Sequence, residues 1–197
     1  TCICEMIAAH YNHPSIYIWG ILNECASDTA YGRECYKTQL ELIKSLDVTR
    51  PRSFSSCRFK TDICFDLVDV VSYNIYPKWY HNTPVAMYLD DLYKWVQTTG
   101  GAGKPFLITE VGAGAIYGYR TPAKVKWSEE YQVLALEEQL GAILSYKDCS
   151  GVYIWQFCDV RVTNDWWNTR PRTMNNKGIV DEYRRPKLSY ETVKRIF

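Results

Sequence analysis

Two hydrophobic patterns alternate along the chain: short, nearly unbroken apolar runs, and longer stretches in which apolar residues recur every three or four positions. Residues 3–11 have the helical spacing, and Asn12-His13-Pro14 ends the helix. Residues 15–22, Ser-Ile-Tyr-Ile-Trp-Gly-Ile-Leu, are β-branched and aromatic almost throughout, which predicts a strand buried on both faces and ending at Asn23-Glu24. A helix is predicted over 32–46 with Leu40, Ile43 and Leu46 inward. Short strands follow at 52–56 and 69–74, then a helix over 85–98 with Leu89, Leu92, Trp95 and Val96 inward. Gly100-Gly101-Ala102-Gly103 breaks it, and the apolar run 106–110 makes a strand ending in Glu110. Residues 111–127 are a Gly- and aromatic-rich loop, and Ser128 is placed to cap a helix that runs to about Lys147. The last strand is predicted over 151–157, followed by a loop to Lys177 and a closing helix over 188–197.

Apolar strands separated by helices predict an α/β fold with a parallel sheet covered on both faces. No repeat, linker or internal domain boundary interrupts the pattern. In such sheets ligands gather at the carboxyl ends of the strands. Those ends carry Asn23 and Glu24, Asn74 with Tyr76, Glu110, and Trp155 with Gln156, and the amino ends carry no comparable set. Each has a bland explanation. A glutamate at a strand end is often a cap or salt-bridge partner, Asn23 and Asn74 suit turns, and Trp155 suits a core. The bland account must explain all of them at one end of one sheet.

Composition narrows the field. The 197 residues carry a formal net charge of +1, and no basic stripe is present of the kind that phosphate-backbone binding needs, so nucleic acid is not an expected partner. The densest basic run, Tyr183-Arg184-Arg185-Pro186-Lys187, reads as a solvated turn before the final helix. No stretch reaches the apolar length that spans a bilayer. Eight cysteines are scattered without a zinc-type pairing, several inside apolar runs; this predicts reduced thiols in a reducing, cytoplasmic compartment. The three histidines are dispersed too, so neither a metal nor another cofactor is expected. The chain opens at Thr1 inside a helix, which reads as a cut, with any targeting segment upstream. Aromatics reach 15%, with 7 Trp and 16 Tyr, and suit either a bulky core or a pocket that stacks on sugar rings.

Two glutamates at strand ends of one sheet invite a paired-carboxylate mechanism, and glycoside hydrolysis supplies the reason for a pair. One carboxyl stays protonated and donates to the leaving oxygen. The other stays ionised and attacks the anomeric carbon or activates water. A separation of about 5–5.5 Å goes with retention through a covalent intermediate, and one of about 6.5–9.5 Å with inversion. Sequence leaves that choice open.

The match becomes specific at Asn12-His13-Pro14-Ser15 through Asn23-Glu24, which resembles the acid/base motif of glycoside hydrolase family 2. There the Asn-His-Pro-Ser precedes the fourth strand of a (β/α)8 barrel and Asn-Glu ends it. Ile108-Thr109-Glu110-Val111-Gly112-Ala113 is similar to the family's nucleophile strand, the seventh, and Trp155-Gln156-Phe157-Cys158-Asp159 to its eighth. Trp127-Ser128-Glu129-Glu130-Tyr131-Gln132 also recurs in the family. Within it the likeness runs to bacterial β-glucuronidases, through Asn175-Asn176-Lys177-Gly178-Ile179, Arg185-Pro186-Lys187 and Asn74-Ile75-Tyr76-Pro77-Lys78-Trp79-Tyr80.

The resemblance implies a partial TIM barrel, roughly strands four to eight with their helices, over residues 1–197 as the C-terminal part of one catalytic domain. The upstream strands and β-sandwich domains of the family are not in this stretch, which alone is expected to be inactive; the full-length enzyme is expected to be a homo-oligomer. The resemblance assigns Glu110 as nucleophile and Glu24 as acid/base on a β-D-glucuronide. It assigns Asn23 to the sugar's 2-hydroxyl, Tyr76 to a hydrogen bond with Glu110, and Asn175 and Lys177 to the sugar carboxylate. Asn74, Tyr80 and Trp155 join them as substrate-binding residues. An ammonium and an amide donor suit an anionic oxygen pair better than a hydroxymethyl group. The pattern departs at Val111, where many glucuronidases have Tyr, at Pro77-Lys78, and in the loop before Asn175. A β-galactosidase or galacturonidase of the same family, or a non-catalytic carbohydrate-binding barrel, are the alternatives.

Overall fold

A computed structural model of the chain describes residues 2–197. It contains five α-helices, α1 (Cys2–His10), α2 (Ala30–Leu46), α3 (Val85–Val96), α4 (Glu129–Leu144) and α5 (Leu188–Ile196). The strands β1 (Trp19–Asn23), β2 (Arg52–Ser56), β3 (Val71–Asn74), β4 (Phe106–Val111) and β5 (Cys149–Ile154) form one sheet in sequence order, with β1–β2 and β2–β3 parallel. A small antiparallel pair, β6 (Val160–Arg161) with β7 (Met174–Asn175), lies within the stretch predicted as a loop to Lys177. The alternation of apolar runs and helical periodicity has become the α/β fold it predicts.

The chain divides into two compact units. The first comprises Thr1–Asn74, Leu89–Thr109 and Asp148–Gly151, and holds β1 to β3 with the amino-terminal parts of β4 and β5. Its core is aromatic. Tyr36 and Phe54 lie 4.5 Å apart by ring centroid, Phe54 stacks on Phe65 at 5.7 Å, and Phe65 meets Tyr73 edge-on at 5.3 Å. Such pairs contribute about 0.5–1.5 kcal/mol each beyond their buried area. Leu40 and Ile43 point inward on α2 as predicted, whereas Leu46 is exposed at the helix end and Tyr36 takes the inward position one turn earlier than Leu40.

The first strand differs from its sequence reading. It begins at Trp19 rather than Ser15, and of its five residues only Trp19 is buried. In the sheet order β1 stands at an edge, so its ladder is made on one side only. Residues 11–18 are held instead by Arg50, which donates to the Ile16 and Tyr11 carbonyls at 2.7 and 2.6 Å. The interior strand β3 is buried at all four residues, as an apolar parallel strand should be.

The second unit comprises Ile75–Tyr88, Glu110–Lys147 and Val152–Phe197. Ser128 caps α4 as predicted, accepting from the Tyr131 N–H at 3.2 Å. The inward face of α4 carries two glutamines, Gln132 and Gln139, both fully buried. They serve loops rather than the helix. Gln132 Nε2 donates to the Ala113 and Gly178 carbonyls at 2.8 and 3.0 Å, and Gln139 Nε2 to those of Pro77 and Gly112 at 2.7 and 3.2 Å. The segments that follow β3 and β4 are thereby pinned to a rigid element.

Candidate active site

Of the predicted site residues before residue 160, all but Tyr80 lie within two residues of the carboxyl end of their strand, and Tyr80 lies in the segment that follows β3. Asn23 and Glu24 do so through an irregularity. The β1–β2 register shifts between Gly20 and Asn23, and Leu22 and Glu24 adopt left-handed backbone with φ of 53° and 54°. A bulge of this kind re-aims the residues beyond it. Here it presents Asn23 and Glu24 to solvent while the Glu24 N–H remains bonded to the Ser55 carbonyl at 2.9 Å.

Asn74, the last residue of β3 and nearly buried, gathers this end of the first unit. Its Nδ2 donates to Asn23 Oδ1 and to Glu24 Oε1, both at 2.9 Å. Its Oδ1 accepts from the Thr109 hydroxyl at 2.8 Å. A hydroxyl donor at one end of the amide leaves the NH₂ end for the carboxylate. Thr109 was not singled out from sequence, although it stands beside Glu110 in the strand motif.

Behind this group Asp62, buried, accepts from Ser27, from Ser56 at 2.7 Å and from the Cys64 N–H at 2.8 Å, joining the loops after β1 and β2. Burial raises its pKa despite those bonds. Cys57 follows β2, and its thiol is pushed up by burial and by the Glu24 carboxylate.

In the second unit Tyr76 donates its phenol proton to Glu110 Oε2 at 2.5 Å, the contact that the resemblance implies. The next turn builds a cage. Lys177 is 3% exposed, and its Nζ donates to the Tyr80 hydroxyl at 3.0 Å. The ammonium lies 5.1 Å from the Tyr76 ring, 5.7 Å from Trp79 and 5.1 Å from Tyr80. Cation–π attraction is strongest in such desolvated places. Burial nevertheless lowers the Lys177 pKa, with the Tyr80 bond and the Glu110 charge opposing it. The Tyr80 phenol is drawn below its ordinary value, because hydrogen bonds and charge from Lys177 and Arg170 overcome the effect of burial. Arg170 reaches the same hydroxyl at 3.5 Å. Among the described residues Lys177 makes no salt bridge.

Asn175 sits in β7 and accepts the Lys177 N–H on its side-chain oxygen at 3.3 Å. Trp155 is 38% exposed rather than core, and its N–H bonds the Val111 carbonyl at 2.8 Å. Its own carbonyl approaches Gly112 so closely that a Cβ there would come within 2.2 Å of the oxygen, so only glycine fits beside Glu110's strand end. Trp79, which the sequence reading does not single out, forms the floor of the cage, braced by Trp127 edge-on at 4.8 Å.

The basic run before α5 was predicted to be solvated. Tyr183 to Pro186 are exposed, but Lys187 is 2% exposed and paired with Asp159 at 2.8 Å. The pattern of charges in the sequence has no signal for a single buried member. All eight cysteines are free thiols. Among the described residues no group of three His, Cys, Asp or Glu side chains could hold a metal ion, and no helix is long and apolar enough to cross a membrane.

Comparison with known proteins adds to this geometry. A family model described as "Glycosyl hydrolases family 2, TIM barrel domain" matches residues 1–197. The chain is 32% identical to the β-glucuronidase of Rattus norvegicus over 197 residues, covering 94% of this chain and 29% of that protein. It is 31% identical to that of Homo sapiens over 195 residues, covering 93% and 28%. Among solved structures it is similar to a family-2 β-galacturonidase from Eisenbergiella tayi bound to galacturonate, with a TM-score of 0.97, 76% identity, and 98% of this chain and 35% of that one covered. A β-glucuronidase from Ruminococcus gnavus in complex with D-glucuronic acid matches with a TM-score of 0.86 and 26% identity, covering 99% and 35%. The chain thus spans about a third of the length of these relatives.

Proposed function

The chain belongs to family 2 of the glycosyl hydrolases, and from that premise we propose that it supplies the catalytic end of an exo-acting, retaining β-D-uronide hydrolase. Its five strands are then strands four to eight of a single barrel domain. Glu110 attacks the anomeric carbon while Glu24 gives its proton to the departing glycosidic oxygen. Glu24 then takes a proton from water, the hydroxyl oxygen displaces Glu110, and the sugar leaves as the free uronic acid. Two inversions at one carbon give retention. The Tyr76 phenol donates to the Glu110 carboxylate, and the Asn74 amide orients Glu24.

Lys177 carries the substrate class. A buried ammonium without a carboxylate partner is costly to the fold unless something supplies the missing charge. A sugar carboxylate does so, and the aromatic cage keeps water from competing for it. The motif reading favours glucuronides. The 76% identity to the E. tayi protein, whose structure holds galacturonate, moves our first choice to β-D-galacturonides, with glucuronides second.

The test is parallel hydrolysis of nitrophenyl β-D-galacturonide, β-D-glucuronide and β-D-galactoside by the enzyme that carries this chain. Uronides should be preferred to the galactoside, and Glu110→Gln should abolish turnover. Equal rates on the galactoside would overturn the uronide assignment, and an active Glu110→Gln variant the nucleophile.

A further inference from the structure

Lys187 and Asp159 form an ion pair with both side chains wholly shielded from solvent. Such pairs are weak contributors to stability, and apolar substitutes of similar volume often serve the fold as well. Its contacts indicate another use. The Lys187 ammonium commits all three protons: to the Ala115 carbonyl at 2.6 Å, to Asp159 Oδ1 at 2.8 Å and to the Asn176 carbonyl at 3.1 Å. Asp159 Oδ1 also accepts the Gly178 N–H at 2.8 Å. One member of the pair therefore holds the residue before Lys177, and the other holds the residue after it.

Further backbone bonds hold this stretch. The Lys177 carbonyl accepts from the Gln156 N–H at 3.1 Å, and the Asn176 carbonyl from the Ala115 N–H at 2.8 Å. Gly178 is packed so tightly that a Cβ would lie 2.3 Å from the Val180 carbonyl oxygen and 2.6 Å from Asp159 Oδ1. Ala115 belongs to the loop that continues from Glu110. The clamp thus ties the base of the caged lysine to the chain segment that bears the nucleophile.

We propose that the buried Lys187–Asp159 pair is a specificity-positioning device, fixing the backbone on both sides of Lys177 and so setting where its ammonium meets the carboxylate of the substrate. The inference rests on the uronide reading above. A lysine side chain has four rotatable methylenes, and a charge contact tolerates little misplacement: displacements of about 1 Å in positioned groups cost up to about a hundredfold in rate. A neutral galactoside makes no demand on Lys177, so the clamp should be invisible to it.

The experiment compares wild type with Lys187→Met and Asp159→Asn in the intact enzyme, measuring kcat and KM on the preferred uronide and on the matching galactoside. The expected result is a uronide KM raised about tenfold, with kcat/KM on the galactoside held within about twofold, a selective loss of about 1.4 kcal/mol. An equal fall on both substrates would reduce the pair to a structural role and overturn the proposal. Where either variant fails to fold, Lys187→Arg and Asp159→Glu keep both charges while displacing them. The same selective rise in KM supports the clamp, and an unchanged ratio between the substrates overturns it. A wild type that ignores uronides sinks the uronide reading itself, an outcome seen before any variant is made.

Discussion

Thr109 stands next to Glu110 in the chain, yet its hydroxyl donates to Asn74 and thereby decides which end of that amide faces Glu24. With Thr109→Val the shape is kept and the donor lost. The Asn74 amide is then free to turn its oxygen toward the carboxylate, which would repel it. A hydrogen bond of this class contributes about 1 kcal/mol, so kcat should fall about fivefold. Steady-state kinetics with a poor leaving group, which most needs protonation by Glu24, should show the larger loss. An unchanged rate with both good and poor leaving groups would remove Thr109 from the account.

The Tyr76 phenol donates a hydrogen bond to Glu110 Oε2. Tyr76→Phe leaves the ring, and with it one wall of the Lys177 cage, in place. Bonds to charged groups contribute about 1.5–3 kcal/mol, so kcat should drop by about one to two orders of magnitude. The KM for uronides should change little, because the cage survives. A rise in KM with intact kcat would mean that the phenol serves binding instead.

Lys177 must be charged to hold a carboxylate, and burial lowers its pKa from that of an ordinary lysine. As pH rises the ammonium loses its proton earlier than a solvated lysine would, and the uronide loses its partner. The pH profile of kcat/KM reports the free enzyme. It should therefore show a steeper alkaline decline on uronides than on the galactoside. Coincident alkaline limbs for the two substrates would place the titrating group elsewhere.

Much of this was legible in the sequence, and the failures share a cause. Periodicity found the strands and helices because burial and repeat are the same fact seen twice. Strand-end position singled out Glu24, Asn74 and Glu110 as candidates, and the structure places each at the end of its strand. The start of β1 was misread because residues 15–18 have strand composition but lie where Arg50 binds their backbone, a contact from 34 residues away. Lys187 looked like its solvated neighbours because burial of one charge depends on Asp159, 28 residues distant. Thr109 and Trp79 act by orienting other side chains, and neither composition nor spacing in a sequence marks that role.

Asp47 links pH to folding at the opposite, amino-terminal side of β2. It accepts from Trp19 Nε1 at 2.8 Å, from Arg50 at 2.7 Å and from Thr49 at 2.6 and 2.7 Å. Burial alone would raise its pKa, but these bonds outweigh it and hold the carboxyl well below the usual range. A carboxyl depressed in the folded state stabilises the protein above its unfolded pKa of about 4, and that stabilisation is lost as pH falls further toward the folded value. Thermal midpoints measured from about pH 5 down to pH 2.5 should decline less steeply in Asp47→Asn than in wild type. Parallel declines would show that other carboxyls govern acid unfolding.

The left-handed backbone at Glu24 has a consequence for how this position can change over time. An L-residue in that region is disfavoured by about 1–2 kcal/mol relative to the right-handed one, while glycine occupies it without steric cost. The conformation that presents the carboxylate is thus one the carboxylate's own residue resists. Glycine here would relax the backbone and asparagine would tolerate it, so variants chosen only for thermal endurance should drift toward a firmer protein without an acid. Glutamate at this position is a choice that selection for folding would never make.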